Sequence, residues 1–556
     1  MAGLLFAVGS RESWATNVCR RRVPGMLHYP WLRAREHHTL WFHAALVLHR
    51  DVEPVLWEQT ECGLFVAVYG EYYPHHQRIA CRQAAAREIA QIYRQSDWNR
   101  LKNNNGLYNL VLWDETARTL VVASDMTGAL LLFQQRIEGE GVIWSSEAAP
   151  ATMADLDDSG ILQLLSIGYQ PGLETACRDV RVFPPATVAV HRPAQPVETS
   201  TGLEAHASPA ALRQQFPDLL EAAVNLRLSG RPAQLPLTGG LDSRAIGAFL
   251  SQAGVNAEAF TIEAGQPRDA AIAPRLAAVL GFPHSVIPSD PQRLRTHRRM
   301  LQAALGLTAD WHPAHYLPVC GAGREGTDLW LGYLGGTVTG ATVHREGESA
   351  GLAALTANAL DPFLGRTLAA LPWDAGIPPG APQAPRELLV NLYARQRRYT
   401  SYLPRLAWNF GAPVCPFADS RLLHAALAAG RADLSSGDAL RRLLLRDFPE
   451  LAEIPNANDG LPLHASSRRW KRNLLRRLGL GKLARRFWPS LRRGYDYSRL
   501  HGIAAEMTEL VRLEAAMEMP SDLSPMARLA LGPILLLAGD DARHSIPQLV
   551  YPNTSL

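Results

Sequence analysis

Short apolar runs dominate the first 190 positions of the chain. Residues 40–48, 64–69, 107–113, 119–124 and 187–190 are rich in β-branched, aliphatic or aromatic side chains and are bounded by turn residues, which predicts strands. Between them, Ala86, Ile89, Ile92 and Tyr93 recur at helical spacing and predict a helix over 82–93. Residues 193–209 hold Pro, Ser, Thr and Glu without periodicity, as a linker does. The texture then changes. Helical patterns at 212–228 and 268–280 alternate with strand patterns at 235–237, 257–262 and 285–287, the order of a parallel sheet carrying helices on its faces. The proline-rich stretch 372–385 is expected as a surface loop or insertion. The expected division is 1–192, a linker 193–209, and 210–556.

Composition narrows the classes. A chain of 556 residues needs more than one core. Its apolar fraction of 47% is that of an ordinary folded protein, and a net charge of +4 over this length gives no field that calls for nucleic acid. The six cysteines lie far apart with no C-x-x-C pair, which speaks against a zinc site or a disulfide framework. The apolar start ends at Ser10-Arg11-Glu12, too soon for a signal peptide, and no apolar run reaches membrane-spanning length. A cytoplasmic protein is the expectation. Residues 468–493 carry eleven Lys or Arg and no acid, interleaved with Leu474, Leu475, Leu478, Leu483 and Phe487. A solvated basic helical face is the plainer reading; a clamp for a peptide or partner protein is the other.

The richest chemistry lies at Leu235-Pro236-Leu237-Thr238-Gly239-Gly240-Leu241-Asp242-Ser243-Arg244. It reads as a strand, a turn of two glycines, then an amphipathic helix over 245–251. Paired glycines let backbone N–H groups approach a bulky anion, Thr238 and Ser243 add hydroxyls, and the helix start adds partial positive charge. No Lys follows the glycines as a Walker A loop requires, and Gly481-Lys482 lacks the upstream glycine. Arg244 would pair with a phosphate or a substrate carboxylate, or lie solvated on the surface.

The pattern [ST]-G-G-x-D-S resembles the pyrophosphate loop of ATP pyrophosphatases, which split ATP between its α and β phosphates. The whole chain resembles the asparagine-synthetase-like superfamily. In the front half the likeness rests on Gly106-Leu107-Tyr108-Asn109-Leu110-Val111-Leu112-Trp113-Asp114, Ser124-Asp125-Met126-Thr127-Gly128 and Ser145-Ser146-Glu147; in the back half on the glycine loop, Phe260-Thr261-Ile262 and Pro416-Phe417-Ala418-Asp419. The resemblance implies an α/β protein: an N-terminal glutaminase-like αββα sandwich, then a parallel-sheet ATP-pyrophosphatase domain with a helical C-terminal layer. It implies ATP and Mg2+ as cofactors. It also implies catalytic roles for Thr238, Asp242 and Ser243, with Asp242 on the metal. Leu237, Gly239, Gly240, Ile262, Gly332 and Tyr333 would then bind the nucleotide.

Three departures shape the expected reaction. Glutamine-dependent members begin Met-Cys-Gly and use that cysteine as nucleophile; here Met1-Ala2-Gly3 has no thiol, so no glutaminase activity is expected. The loop Leu331-Gly332-Tyr333-Leu334-Gly335-Gly336-Thr337-Val338-Thr339-Gly340 has no carboxylate where relatives carry one, only Gly336 or Thr337. Asn458 stands where many relatives have a lysine, leaving Arg395, Arg397, Arg398, Arg441 or Arg442 to supply the charge. With no ammonia source, a substrate amine becomes the nucleophile. The chain looks most like lasso-peptide macrolactam cyclases, with Arg395-Gln396-Arg397-Arg398-Tyr399 closer to that branch, although an exposed basic helix face is an equal reading of the stretch. The implied partners are a precursor peptide and a leader peptidase or leader-binding protein, with neither nucleic acid nor membrane. A broad concave peptide surface is expected near Trp311, His312 and His315. The competing readings are an amidotransferase acting on a glycan or small metabolite, and a non-catalytic scaffold.

Overall fold

Alternation with period two sends successive residues to opposite faces of a strand, and the front of the chain uses both faces. The computed structural model describes residues 2–148, 156–192, 195, 197–203, 211–263, 267–288, 290–306, 308–321, 325–343, 348, 373–374, 376–380, 384–435, 438–465, 500–515, 519 and 525–538. Strands β1 (Gly3–Gly9), β2 (Leu32–His38), β3 (Phe42–His49), β4 (Leu56–Gln59), β5 (Leu64–Gly70), β6 (Tyr108–Asp114), β7 (Thr119–Ser124), β8 (Phe133–Ile137), β9 (Gly141–Ser145), β10 (Val180–Val182), β11 (Thr187–His191) and β12 (Glu198–Thr201) form two six-stranded sheets. Their orders are β10-β8-β9-β1-β3-β2 and β12-β11-β7-β6-β5-β4, antiparallel throughout. In β5, Phe65, Ala67 and Tyr69 belong to the core shared by the sheets, while Leu64, Val66 and Val68 pack under the helix Arg82–Gln95 through Ala86, Ile89 and Ile92. The helix Trp14–Met26 covers the other sheet with Ala15, Cys19 and Val23. The order is helix, sheet, sheet, helix.

Two features depart from the expected pattern. The stretch expected as a linker contains β12, whose residues 198–201 pair with β11 as the sheet's edge. The apolar N-terminus is β1, buried between β3 and β9. A run of seven buried or half-buried residues without alternation reads as a central strand only once its neighbours are known.

The back half carries a parallel sheet of β13 (Ala233–Pro236), β14 (Ala257–Ile262), β15 (His284–Ile287), β16 (Asp328–Trp330) and β17 (Ala412–Val414), ordered β15-β14-β13-β16-β17. The chain leaves β13 for β14 and β15 on one side, then returns to build β16 and β17 on the other. Strand order reverses between β13 and β16, and in open α/β sheets ligands bind beyond the carboxyl ends of strands at such a point. The loops that follow β13 and β16 are the glycine loop and the loop 331–340. Residues 468–493, including Gly481-Lys482, and residues 372, 375 and 381–383 of the proline-rich stretch lie outside the described residues. Among the described residues no helix is long and apolar enough to cross a membrane.

Candidate active site

From Pro236 the chain turns into the helix Asp242–Gln252. The loop amides between are already engaged with oxygen. Thr238 N–H donates to Ser243 Oγ at 3.1 Å, Gly239 N–H to Asp269 Oδ1 at 2.8 Å, and Gly240 N–H to Thr238 Oγ1 at 3.2 Å. Successive amides turned towards oxygen acceptors form an anion-binding concavity. Gly239 also passes against the segment after Pro455: a Cβ there would lie 2.6 Å from Ala457 Cβ. Arg244 holds that segment in place. Its guanidinium donates to the carbonyls of Leu451, Ile454, Gly239 and Pro455 at 2.8–3.1 Å. Fully buried, Arg244 meets neither phosphate nor solvent, contrary to both sequence readings.

Asp242 is fitted against the second loop. A Cβ on Gly335 would sit 2.5 Å from Asp242 Cγ, so only glycine leaves room for the carboxylate. Burial there raises the Asp242 carboxyl from 3.8 to about 7, partly offset by the Gly336 N–H that donates to it. Asp269 is likewise raised by burial and held down by the Gly239 N–H. Leu334, between the loop's glycines, adopts φ 70°, a left-handed conformation rare for leucine and typical of tightly constrained sites.

The far wall is a π-helix, Asn391–Thr400. Its wide turn, closed by i→i+5 bonds, brings Asn391, Arg395, Gln396 and Thr400 to one side. Asn391 Nδ2 donates to Thr337 Oγ1 at 3.0 Å, and Tyr333 O–H donates to the Gln396 carbonyl at 3.1 Å, tying this helix to the second loop. The opposite side sends Arg397 to the carbonyls of Gly128 and Phe183, and Arg398 to those of Gln170 and Glu174. Both guanidiniums are buried, so the stretch is not an exposed basic face.

A cavity of about 520 Å3 lies between these walls. Leu237, Thr238, Gly240, Asp242, Ser243, Ile262, Gly332 and Tyr333 all line it, and Gly239 meets it through the amide on Asp269. Asn458 lines it too, as does Arg395 alone of the five arginines considered for the missing lysine. Arg441 donates instead to the Leu463 carbonyl. Asp269 escaped the sequence reading. Its signal was positional: it lies in the first turn of the helix after β14, as Asp242 does after β13.

The Trp311 region is core, not a concave surface. Trp311 and His315 are buried, and His312 Nδ1 pairs with the Tyr399 hydroxyl at 2.8 Å, which lies 3.2 Å from Asp310 Oδ1. Burial pushes the Asp310 carboxyl up to about 8. Only Tyr316, at the end of that segment, reaches the cavity. In the Pro416-Phe417-Ala418-Asp419 motif, Asp419 is an anchor between the halves of the chain: it accepts from Asn105 at 2.7 Å, Arg227 at 3.2 Å and Arg421 at 2.8 Å. Burial opposes its ionisation, yet Arg421, Arg227 and Asn105 hold it down to about 2. At the opposite end, Ala2 is fully buried, with its N–H on Asn409 Oδ1 at 2.8 Å.

The glutamine amidotransferase domain family matches residues 71–200, and the asparagine synthase family matches residues 215–336. Together they support an asparagine-synthetase-like superfamily. The asparagine synthase match indicates an ATP-dependent enzyme that forms C–N bonds. Among solved structures, the chain is similar to a glutamine phosphoribosylpyrophosphate amidotransferase from B. subtilis complexed with ADP and GMP, at 10% identity over 61% of this chain and 77% of that one, with a TM-score of 0.25. A second likeness, to the allosteric regulatory enzyme of purine biosynthesis, has 10% identity over 52% of this chain and 81% of that one, with a TM-score of 0.24. No curated protein matches the chain.

Proposed function

We propose that this enzyme activates a carboxylate as its AMP adduct and closes an amide bond with an amine of the same molecule, as in macrolactam formation on a lasso-type precursor peptide. The observation that carries the reading is the Thr238–Ser243 loop facing the 331–340 loop across one cavity, in a chain whose second residue is alanine.

Each step has a group suited to it. A carboxylate oxygen attacks the α-phosphorus of ATP and the bond to the β-phosphate breaks. On nucleotide binding, the loop amides and the hydroxyls of Thr238 and Ser243 would exchange their present partners within the loop and on Asp269 for the oxygens of the departing pyrophosphate, where charge gathers. Leu237, Ile262, Gly332 and Tyr333 form the wall suited to the adenosine. Magnesium takes one or two carboxylates along with substrate phosphates and water. Asp242 and Asp269 fit that need: both line the cavity beside the hydroxyl-bearing loop, and among the described residues no group of three or more His, Cys, Asp or Glu gathers elsewhere for a metal. Held there, the ion would neutralise charge on the pyrophosphate. The amine nitrogen then attacks the acyl carbon, AMP leaves, and the nitrogen loses a proton. An amine tethered in the same molecule gains the effective concentration of a held reactant.

The test is reconstitution with a candidate precursor peptide, its leader protease, ATP and magnesium, read by mass. A product lighter by one water than the cleaved core, formed with AMP and absent in Asp242→Asn, supports the reading. A linear core beside ATP-dependent amidation of a small molecule moves the assignment to an amidotransferase, and no AMP with any acceptor points to a scaffold.

A further inference from the structure

We infer that Arg395 is the oxyanion-pairing residue of the cavity, taking over the charge that a lysine supplies in relatives. The inference rests on the proposed function and deepens it. The two acids on the cavity wall, Asp242 and Asp269, face substrates that are themselves anionic: a polyphosphate and a carboxylate. Among the described lining residues, Arg395 is the only cation. Bringing a carboxylate up to an α-phosphate in such surroundings requires a positive group near the meeting point.

Geometry makes Arg395 suitable. It is half-buried, and among the described residues its guanidinium has no hydrogen bond or ion pair, whereas Arg397 and Arg398 on the same helix are spent on carbonyls of the N-terminal domain. Those bonds also aim it. They fix one side of the π-helix, Asn391 and Tyr333 fix its contact with the second loop, and Arg395 lines the cavity together with Asn391 and Thr400. Polar Gln396 and Thr400 flank it, and Tyr316, Val319, Tyr402 and Leu403 form the apolar wall beyond. A planar guanidinium offers two parallel N–H donors to two oxygens of one anion, which a lysine does not. The chemistry recognised is a two-oxygen anion, presented either by the carboxylate to be activated or by the α-phosphate of ATP.

The full-length protein, Arg395→Gln and Arg395→Lys are titrated by calorimetry in two arms. The first uses α,β-methylene-ATP with Mg2+, which is not cleaved between its α and β phosphates. The second uses N-acetyl-L-glutamate, with and without that nucleotide. A loss of about tenfold or more in one arm for Arg395→Gln, partly restored in Arg395→Lys, is expected from removal of a charge-assisted pair. The arm affected identifies the source of the anion. Affinities equal to wild type in both arms, or no glutamate binding by any protein together with unchanged nucleotide affinity, overturn the inference. Failure of the functional reading looks different: wild type itself would not bind the nucleotide, and the glutamate arm would still decide the role of Arg395.

Discussion

Asp242→Asn should stabilise the nucleotide-free protein at pH 8 while removing its turnover. The carboxylate is pressed against Gly335, where burial raises it from 3.8 to about 7. Below pH 3.8 the folded and unfolded chains both hold the proton, and the substitution changes little. Between 3.8 and about 7 only the unfolded chain ionises, so wild type loses stability as pH rises, and above 7 the loss is complete. At about 1.4 kcal/mol per pH unit, that gap corresponds to about 4 kcal/mol. Water in the cavity screens part of it, and a negative charge in the first turn of a helix regains up to about 1 kcal/mol. We therefore expect a gain of about 2 kcal/mol at pH 8 and about half that or less at pH 5. Urea unfolding at 25 °C at the two pH values, followed by a probe in the C-terminal half, measures it. An asparagine variant less stable than wild type at pH 8, or a difference that does not change with pH, would refute the electrostatic account of this site. Magnesium and α,β-methylene-ATP should erase the advantage, because the wild-type charge then has a partner.

Gly335→Ala should displace the Asp242 carboxylate, costing about 1–3 kcal/mol from overpacking and most of the ATP-to-AMP activity; normal turnover would show that the close approach is unimportant. Arg397→Met leaves the carbonyls of Gly128 and Phe183 without their buried donor, and a loss of about 2 kcal/mol with easier proteolytic separation of the two halves is expected. An unchanged melting temperature would count against that role. The pure protein should release no glutamate from glutamine, with or without ATP, since Ala2 carries no nucleophile; release above a heat-killed control sinks that expectation.

Much of this architecture was legible in the residues because local signals agreed. The strands at 64–70, 119–124 and 257–262 and the helices at 82–95 and 267–280 fall within a few residues of their expected positions. Each has its own periodicity and its own bounding turn residues. What escaped depends on neighbours far along the chain. Pro193 and Pro209 flank a stretch that looks unstructured until β11 supplies a ladder for residues 198–201. Trp311, His312 and His315 look like a ligand surface because aromatic and imidazole groups serve both recognition and packing, and only tertiary burial distinguishes the two. The glycine loop was legible as a site because its chemistry is contiguous. Asp269 belongs to the same site but arrives from the next βα unit, so no local spacing announces it. The arginine run hid most. Its register follows a π turn, and an α-helical reading cannot tell which guanidinium faces the cavity and which faces the other domain.

That grip between the halves of the chain has a consequence for how the sequence can drift. Arg397 and Arg398 reach main-chain oxygens of Gly128, Phe183, Gln170 and Glu174, atoms that every amino acid possesses. Such a contact reads the path of the neighbouring backbone and is indifferent to most of the side chains along it. A lineage can exchange residues across the front domain and keep the joint intact as long as the fold survives. Deleting the domain is another matter, because both guanidiniums would lose these acceptors and the surface packed around them would be bared to water. Exchange of side chains is nearly neutral for such a joint, whereas loss of the domain that supplies its acceptors is not.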